Sequence, residues 1–204
     1  MAITDKIFGD MALLREMHKT TVKGNLLAWR RRYVQTRFGQ SAVDRIAAEL
    51  PAEVGAKLLN PPLAFSWQPI KDMMEIDRAI VLGPMRGDVS QMKQFGAEIG
   101  TADLSTVYKL LLRAAVTMEK FVDKAPATFD SYFQPGKGDG MLIAAGHARI
   151  AFKGCTLPYY LCSFGLPGWL EAVGKLTGTK GLRIQHDICC HRGHDHCAWD
   201  LFWL

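Results

Sequence analysis

The sequence predicts an α+β fold: a helical N-terminal half, then a small antiparallel sheet with a packed helix, closing on a C-terminal hairpin. Three observations carry this. Apolar residues recur at helical spacing through the first two thirds of the chain. After Phe129, short apolar runs separated by glycine turns replace that period. All five cysteines, Cys155, Cys162, Cys189, Cys190 and Cys197, fall in the last quarter.

The 204 residues suit one domain, with 1–125 mainly helical and 126–204 forming the α+β part. Leu26, Leu27, Trp29, Tyr33 and Val34 predict a helix that follows Gly24 and ends near Gly39. Ser41 is expected to cap the next helix, through Leu50, and Pro51 to open a short third one. Pro61 and Pro62 break that run. Trp67-Gln68-Pro69 then introduces a helix carrying Ile70, Met73, Met74, Ile76, Ile80 and Val81, and Gly83 to Asp88 is a loop. Helices over 89–99 and 103–122 follow, the second capped by Thr101 or Asp103. Phe133 to Gly140 is a turn-rich break. Met141 to Ala145 and Ala148 to Phe152 read as strands joined at Gly146-His147. One more helix spans 157–176, and the end reads as two strands around a glycine turn. Strand, strand, helix, strand, strand after a helical half means an antiparallel sheet.

Hydrophobic residues make up 49% and charged residues 22%, a composition that argues against wholesale disorder. No apolar run approaches the ~20 residues of a membrane span. The first residues carry acidic groups and no compact apolar core, so a cytoplasmic protein is expected. The net charge is +5, with a basic cluster at Lys19, Lys23, Arg30, Arg31, Arg32 and Arg37. Consecutive arginines on a helix point about 100° apart, so they do not form one basic face. With no recognition motif beside them, nucleic acid is not the expected partner. Phe8, Met11, Leu13, Leu14 and Met17 form an apolar face too short to bury itself, which needs its own domain or a second copy.

The cysteines cluster with His186, His191, His194 and His196. An odd count in a reducing compartment favours metal over disulfides. A hairpin pairing Cys189 with Cys197 brings two thiolates together, and the preceding connection delivers Cys162. Three sulfurs and a nitrogen satisfy a tetrahedral zinc ion. His186 is the candidate fourth ligand, with Asp187 and Cys190 as rivals. Regular strand alternation points His186 and Cys189 to opposite faces unless a bulge intervenes.

The stretch from Cys162 to Trp199 resembles the C-terminal half of the 4-vinyl reductase domain family, through Cys162, Gly168, Trp169, Gly178, Cys189, Gly193, Cys197 and Trp199. Weaker similarity lies at 22–27, at 107–113 and at Tyr132-Phe133. The family includes sensory domains of phenol-responsive activators, shares a fold with TRAPP-type transport subunits and more distantly resembles haem nitric-oxide sensing domains. The resemblance implies a zinc-stapled hairpin held by three cysteines and a glutamate, and here His186 stands at the glutamate position. It also implies a homodimer and an apolar or aromatic small molecule between helices and sheet. Candidate lining residues are Trp67, Phe95, Tyr108, Tyr132, Phe133, Tyr159, Phe164 and Trp169, with His147 as a polar anchor or a plain turn residue. The expected function is a small-molecule sensor or regulatory module acting on a protein partner. The alternatives are an enzyme or accessory protein of chlorophyll-type tetrapyrrole metabolism, or a haem-based gas sensor using one of the histidines. The sequence has neither a dinucleotide fingerprint nor a phosphate-binding loop, which weighs against the reductase.

Overall fold

The computed structural model describes residues 19–106, 117–154 and 157–204, which divide into two compact units. The first takes in the described residues up to Gln91 together with Tyr132–Pro135, the second those of Met92–Ser131 and Gly136–Leu204. The expectations placed on Phe8 to Met17, on 107–113 with Tyr108, and on Cys155 lie outside the described residues.

In the first unit, strand β1 (Thr21–Lys23) runs into helix α1 (Gly24–Phe38), followed by α2 (Gln40–Glu49), α3 (Ala52–Leu59), strand β2 (Trp67–Pro69) and α4 (Ile70–Leu82). β1 is the centre of a three-stranded antiparallel sheet, between β2 and β3 (Phe133–Gln134). The buried positions of α1 include Leu26, Leu27, Arg30, Tyr33 and Val34, a helical stripe that faces the core. As expected, α1 ends at Gly39, whose φ of 83° lies where a β-carbon is strained. The expected Ser41 cap does not form, because α2 starts two residues earlier, at Gln40, with Gly39 in the capping position.

One ion pair crosses this helical core. Arg30 Nε donates to Asp77 Oδ1 at 2.7 Å and its Nη2 to Oδ2 at 2.8 Å, while Nη1 donates to the Leu26 carbonyl at 2.7 Å. Both residues are sealed from water. Charges are tolerated there because each meets a partner of matching shape.

The second unit comprises α5 (Met92–Thr106), α6 (Met118–Tyr132, its last residue in the first unit), β4 (Lys137–Ala144), β5 (His147–Lys153), a π-helical turn (Leu161–Gly165) leading into α7 (Leu166–Leu176), β6 (Arg183–Ile188) and β7 (Cys197–Phe202). The sheet order is β4-β5-β7-β6, antiparallel throughout. Alternation buries Ala148, Ile150 and Phe152 of β5 and Cys197, Trp199 and Leu201 of β7. Phe129 of α6 lies 5.6 Å from Phe152, 6.3 Å from Trp199 and 6.4 Å from Trp169 of α7, ring centre to ring centre. These rings join helices and sheet in one core. α5 and α7 meet backbone to backbone: a β-carbon on Gly168 would stand 1.9 Å from the Lys93 carbonyl oxygen.

The Gly146 hairpin forms as expected, with φ of 71° at that glycine. Other expectations change. A 3-10 turn, Val89–Gln91, precedes α5, which passes through the expected break at 101–103. Thr101 does not cap; its hydroxyl donates back to the Ala97 carbonyl at 2.8 Å. α6 continues through Pro126 to Tyr132, past the point near Phe129 where the sheet region was expected to begin. β2 and β3 are strands of three and two residues, too short to show an alternation. No helix among the described residues is long and apolar enough to cross a membrane.

His147 is neither a solvated turn residue nor an anchor in an apolar cavity. It stacks on Phe202 at 4.3 Å, and its Nε2 lies 3.0 Å from Asp200 Oδ1. Arg149 donates to the same carboxylate from Nε at 3.1 Å and Nη2 at 2.8 Å. Burial pushes the Asp200 carboxyl up, but Arg149 and His147 outweigh it and hold the pKa below the usual value.

Two predictions follow from these pairs. Asp77→Ala removes the carboxylate from a buried guanidinium and is expected to lower unfolding free energy by about 3–5 kcal/mol in urea titrations. A loss below about 1 kcal/mol would show that the pair does not hold the helices. For Asp200, a depressed folded-state pKa means its contribution is present above the unfolded value of about 4 and is lost as pH falls through the folded one. Asp200→Asn should therefore cost about 1–2 kcal/mol at neutral pH, with the gap to wild type closing on acidification. A gap that persists at acid pH would rule out the charge as its cause.

Candidate functional site

Four donors converge at one end of the second unit's sheet. The sulfurs of Cys162, Cys189 and Cys197 and a ring nitrogen of His186 all lie within 4.8 Å of one another. Cys162 comes from the π-turn and His186 from β6, Cys189 follows β6, and Cys197 opens β7. Regular alternation would separate His186 from Cys189. The strand is not regular there: Gln185 faces Asp200 while Ile188 faces Ala198, so three steps along β6 match two along β7. That extra residue is a β-bulge, and it resolves the parity conflict.

The π-turn performs a similar service for Cys162. Leu166 N–H donates to the Leu161 carbonyl five residues back, a widened turn of the kind found at functional sites. Trp199 Nε1 donates to the Cys162 carbonyl at 2.9 Å, and the Trp199 ring stacks on His186 at 5.1 Å. Gly193, with φ of 87°, lets the β6–β7 connection fold back so that Cys189 and Cys197 meet.

Cys162 and Cys189 sulfurs are 3.8 Å apart, and Cys189 and Cys197 sulfurs 3.9 Å. Of the rival ligands, Asp187 is exposed and outside the donor group. Cys190 is close, its sulfur 3.4 Å from that of Cys197. The Cys162 thiol, followed by those of Cys190 and Cys197, donates to the Cys189 sulfur and drives its pKa far below the ordinary thiol value. Interaction with Cys189 pushes the Cys162 and Cys190 thiols up, and interaction with Cys162 then Cys189 raises Cys197. One negative sulfur thus resists the formation of a second. A bound cation would reverse that preference, since the thiolate is the ligating form.

His186 is the unusual member. Both of its ring nitrogens are buried without a hydrogen bond of good geometry, and the ring acts on the Cys189 sulfur, whose pKa it helps to lower. Buried polar atoms are nearly always paired, so the imidazole fits a role in which a lone pair is given to something else. The other histidines of the connection are engaged: His191 with the Leu157 carbonyl, His194 with the Cys189 backbone and His196 with Asp195.

The candidate ligand-lining aromatics are divided between the units. Trp67, Tyr132 and Phe133 belong to the first, where Trp67 lies under Lys23 Nζ at 3.7 Å and Tyr132 sits 5.7 Å from Trp29. Phe95, Tyr159, Phe164 and Trp169 belong to the second. There Tyr159 makes edge contacts with Phe164 and His191, while Trp169 packs 5.7 Å from Phe121. Phe121 and Phe129 carry much of this packing, and their i, i+8 spacing on α6 was the signal that could have marked them as core.

No family model matches this sequence. No curated protein matches it either. Among solved structures, the chain is similar to an H-NOX protein from S. oneidensis in the Fe(II)NO ligation state, with a TM-score of 0.69 and 17% identity over 89% of this chain and 99% of that one. It is similar to an Fe(II) unliganded H-NOX protein from K. algicida, with a TM-score of 0.66 and 10% identity over 89% and 96%. A third structure, described by haem redox potential and protein-induced porphyrin distortion, has a TM-score of 0.65 and 10% identity over 88% and 99%. At these identities the likeness is one of fold.

That finding corrects two expectations. The fold shared is that of H-NOX domains, named above as the more distant relation, and the comparisons do not show a 4-vinyl reductase family. Zinc as the cofactor is also overturned: the structures of this fold are described by Fe(II) ligation states and by haem. Thiol and imidazole spacing defines a donor set without selecting one ion, since several soft and borderline cations accept the same ligands.

Proposed function

We propose that this chain is a non-enzymatic sensor module on the H-NOX fold, taking up a small apolar molecule and reporting its occupancy to a protein partner. The observation that carries the reading is the likeness of fold over 89% of this chain and 99% of an H-NOX protein. Fold alone does not choose the ligand, so the residues must.

Haem is the group named for the neighbours, and iron in haem is held by His, Cys, Met or Tyr side chains. The sequence has no histidine between His18 and His147. The five described histidines stand on the second unit's sheet or its β6–β7 connection, engaged as above or within the thiol group. His18 lies outside the described residues. Each described histidine is committed to another partner or to the thiol group, so none of them is expected to ligate a haem iron. The ligand class in this reading is an aromatic or tetrapyrrole ring held by shape and apolar contact.

The second part of the reading concerns Cys162, His186, Cys189 and Cys197, which hold a soft or borderline cation as a staple between the π-turn and the hairpin. Convergent donors and the buried imidazole support it. Such a cation adds its binding energy to folding.

Haemin titration is expected to give no spectrum of imidazole-ligated iron. A thermal-shift screen of phenols, other aromatics and tetrapyrroles should give at least one concentration-dependent rise, worth about 2.7 kcal/mol at a hundredfold excess over Kd. A hit consumed in the presence of NADPH makes the protein an enzyme, and a screen without hits rejects the ligand reading. For the staple, His186→Ala should weaken metal retention ~10-fold or more, read by elemental analysis of protein never exposed to chelator. In metal-stripped protein His186→Phe keeps a ring to stack on Trp199 and should change stability by less than about 1 kcal/mol. Unchanged retention in His186→Ala, with loss in Cys190→Ser, would move the fourth ligand to Cys190.

A further inference from the structure

Leu63 and Phe65, in the loop between α3 and β2, are 83% and 87% exposed. Single apolar side chains on a surface are ordinary, whereas two such residues on one tip mark a contact surface. The chain's own hydrogen bonds fix that tip. Gly24 N–H donates to the Ser66 carbonyl at 2.8 Å, Asn25 N–H to that of Ala64 at 3.2 Å, and Ser66 N–H to that of Leu63 at 2.9 Å. Lys23 Nζ donates to the Phe65 carbonyl at 3.0 Å. Each carbonyl from Leu63 to Ser66 therefore has a donor, and Pro61 and Pro62 bring no N–H. Gly24 permits this approach, since a β-carbon there would stand 2.3 Å from the Leu63 carbonyl oxygen. A loop held in this way can leave bulk water without stranding its acceptors.

The surroundings of the tip are cationic. Residues 19–43 and 58–71 contain no Asp or Glu. Lys23 lies over the Trp67 ring at 3.7 Å, beside the tip. Lys19 and Lys71 are exposed at the other end of the same sheet, where Thr21 pairs with Pro69. Asp72, the next carboxylate along the chain, is ion-paired with Lys57. The other exposed apolar run, Met141–Ile143, has no such field: beside it Lys153 pairs with Asp139, and Arg149 with Asp200. We propose that the Leu63–Phe65 tip docks on an anionic membrane surface. Leu63 and Phe65 enter the bilayer interface, while Trp67 and the three lysines meet the lipid headgroups. An acid-free cationic zone around an apolar tip matches lipid phosphate, and carbonyls already occupied offer a protein partner little to recognise. The contact is peripheral, since no helix among the described residues is long and apolar enough to span. It does not depend on the ligand or on the four-donor group.

The test is flotation of the full chain with lipid vesicles, read as a partition coefficient. Vesicles of phosphatidylcholine alone are compared with vesicles holding phosphatidylglycerol and phosphatidylcholine in equal parts. Wild type is expected to bind the anionic vesicles at least ~10-fold better than the neutral ones, and to come off as salt is raised. Leu63→Ser/Phe65→Ser should lower that binding at least ~10-fold, because both inserting side chains are gone. Lys19→Glu/Lys71→Glu should lower it by a factor of about 10 or more. Leu63→Met/Phe65→Trp keeps an apolar tip and should bind like wild type. Each altered residue is exposed, so all three variants should melt at the wild-type temperature. Should the serine variant fail to fold, the other two decide. Wild type that binds neither vesicle, equal binding to both kinds, or undiminished binding by the serine or glutamate variant overturns the proposal. So does loss of binding in Leu63→Met/Phe65→Trp, because a protein pocket reads the shape of the tip and a bilayer does not. A wild-type dimer in light scattering that the serine variant dissociates overturns it too, the tip then being a contact between copies.

Discussion

Trp199 meets its neighbours in three physically different ways, and the second unit is organised around them. Its indole nitrogen donates to the Cys162 carbonyl, its ring lies parallel to Phe129 of α6, and it stacks on His186 of β6. A buried indole needs a partner for its single N–H, so the ring cannot rotate without losing that bond. The π-turn, the helix and the bulged strand are thereby referred to one side chain on β7. Placement of the thiols inherits its accuracy from this joint.

The backbone around the site diverges from regular geometry at two points: the bulge in β6, which the sequence raised only as the condition for His186 and Cys189 to meet, and the π-turn, which left no trace in it. Apolar periodicity revealed the stripe of α1 and the run from Ile70 to Val81, because burial of one face leaves a repeating trace. Glycine marked the end of α1 and the β4–β5 hairpin for a steric reason that belongs to the residue itself. The helix expected to end at 122 instead reaches Tyr132 and accommodates Pro126 despite its missing N–H. Thr101 misled because a hydroxyl can satisfy a helix carbonyl as well as a helix start. The bulge in β6 depends on which residues of β7 lie opposite, and pairing of that kind has no local signature. The donor residues themselves were readable from spacing, while their convergence required the bulge.

Backbone architecture and donor chemistry separate in this protein. The fold is one whose solved examples are described with haem iron, whereas the histidines of this chain beyond His18 all fall in its last 58 residues, the first of them at position 147. A scaffold that encloses a ring can do so through apolar contact alone, and axial ligation is a separate addition made by one side chain. The cluster at Cys162, His186, Cys189 and Cys197 is a local device of the second unit, built from a turn and a hairpin that any such scaffold could carry or lack.

The π-turn at Leu161–Gly165 has an implication for how the site can be gained or lost. One residue more than an α-turn requires is accommodated there, and the surplus sets the angle from which Cys162 approaches. Deleting a single residue within the turn would let the chain revert to α-helix and swing everything before it by about 100° about the helix axis, carrying Cys162 off the cluster. From Gly168 onward α7 would keep its close packing on α5, whereas the approach of Gly96 to the Gly165 carbonyl, within the turn itself, would be disturbed. A change of chain length there would separate the four donors while each of them is retained, so a count of cysteines alone does not report whether the cluster is assembled.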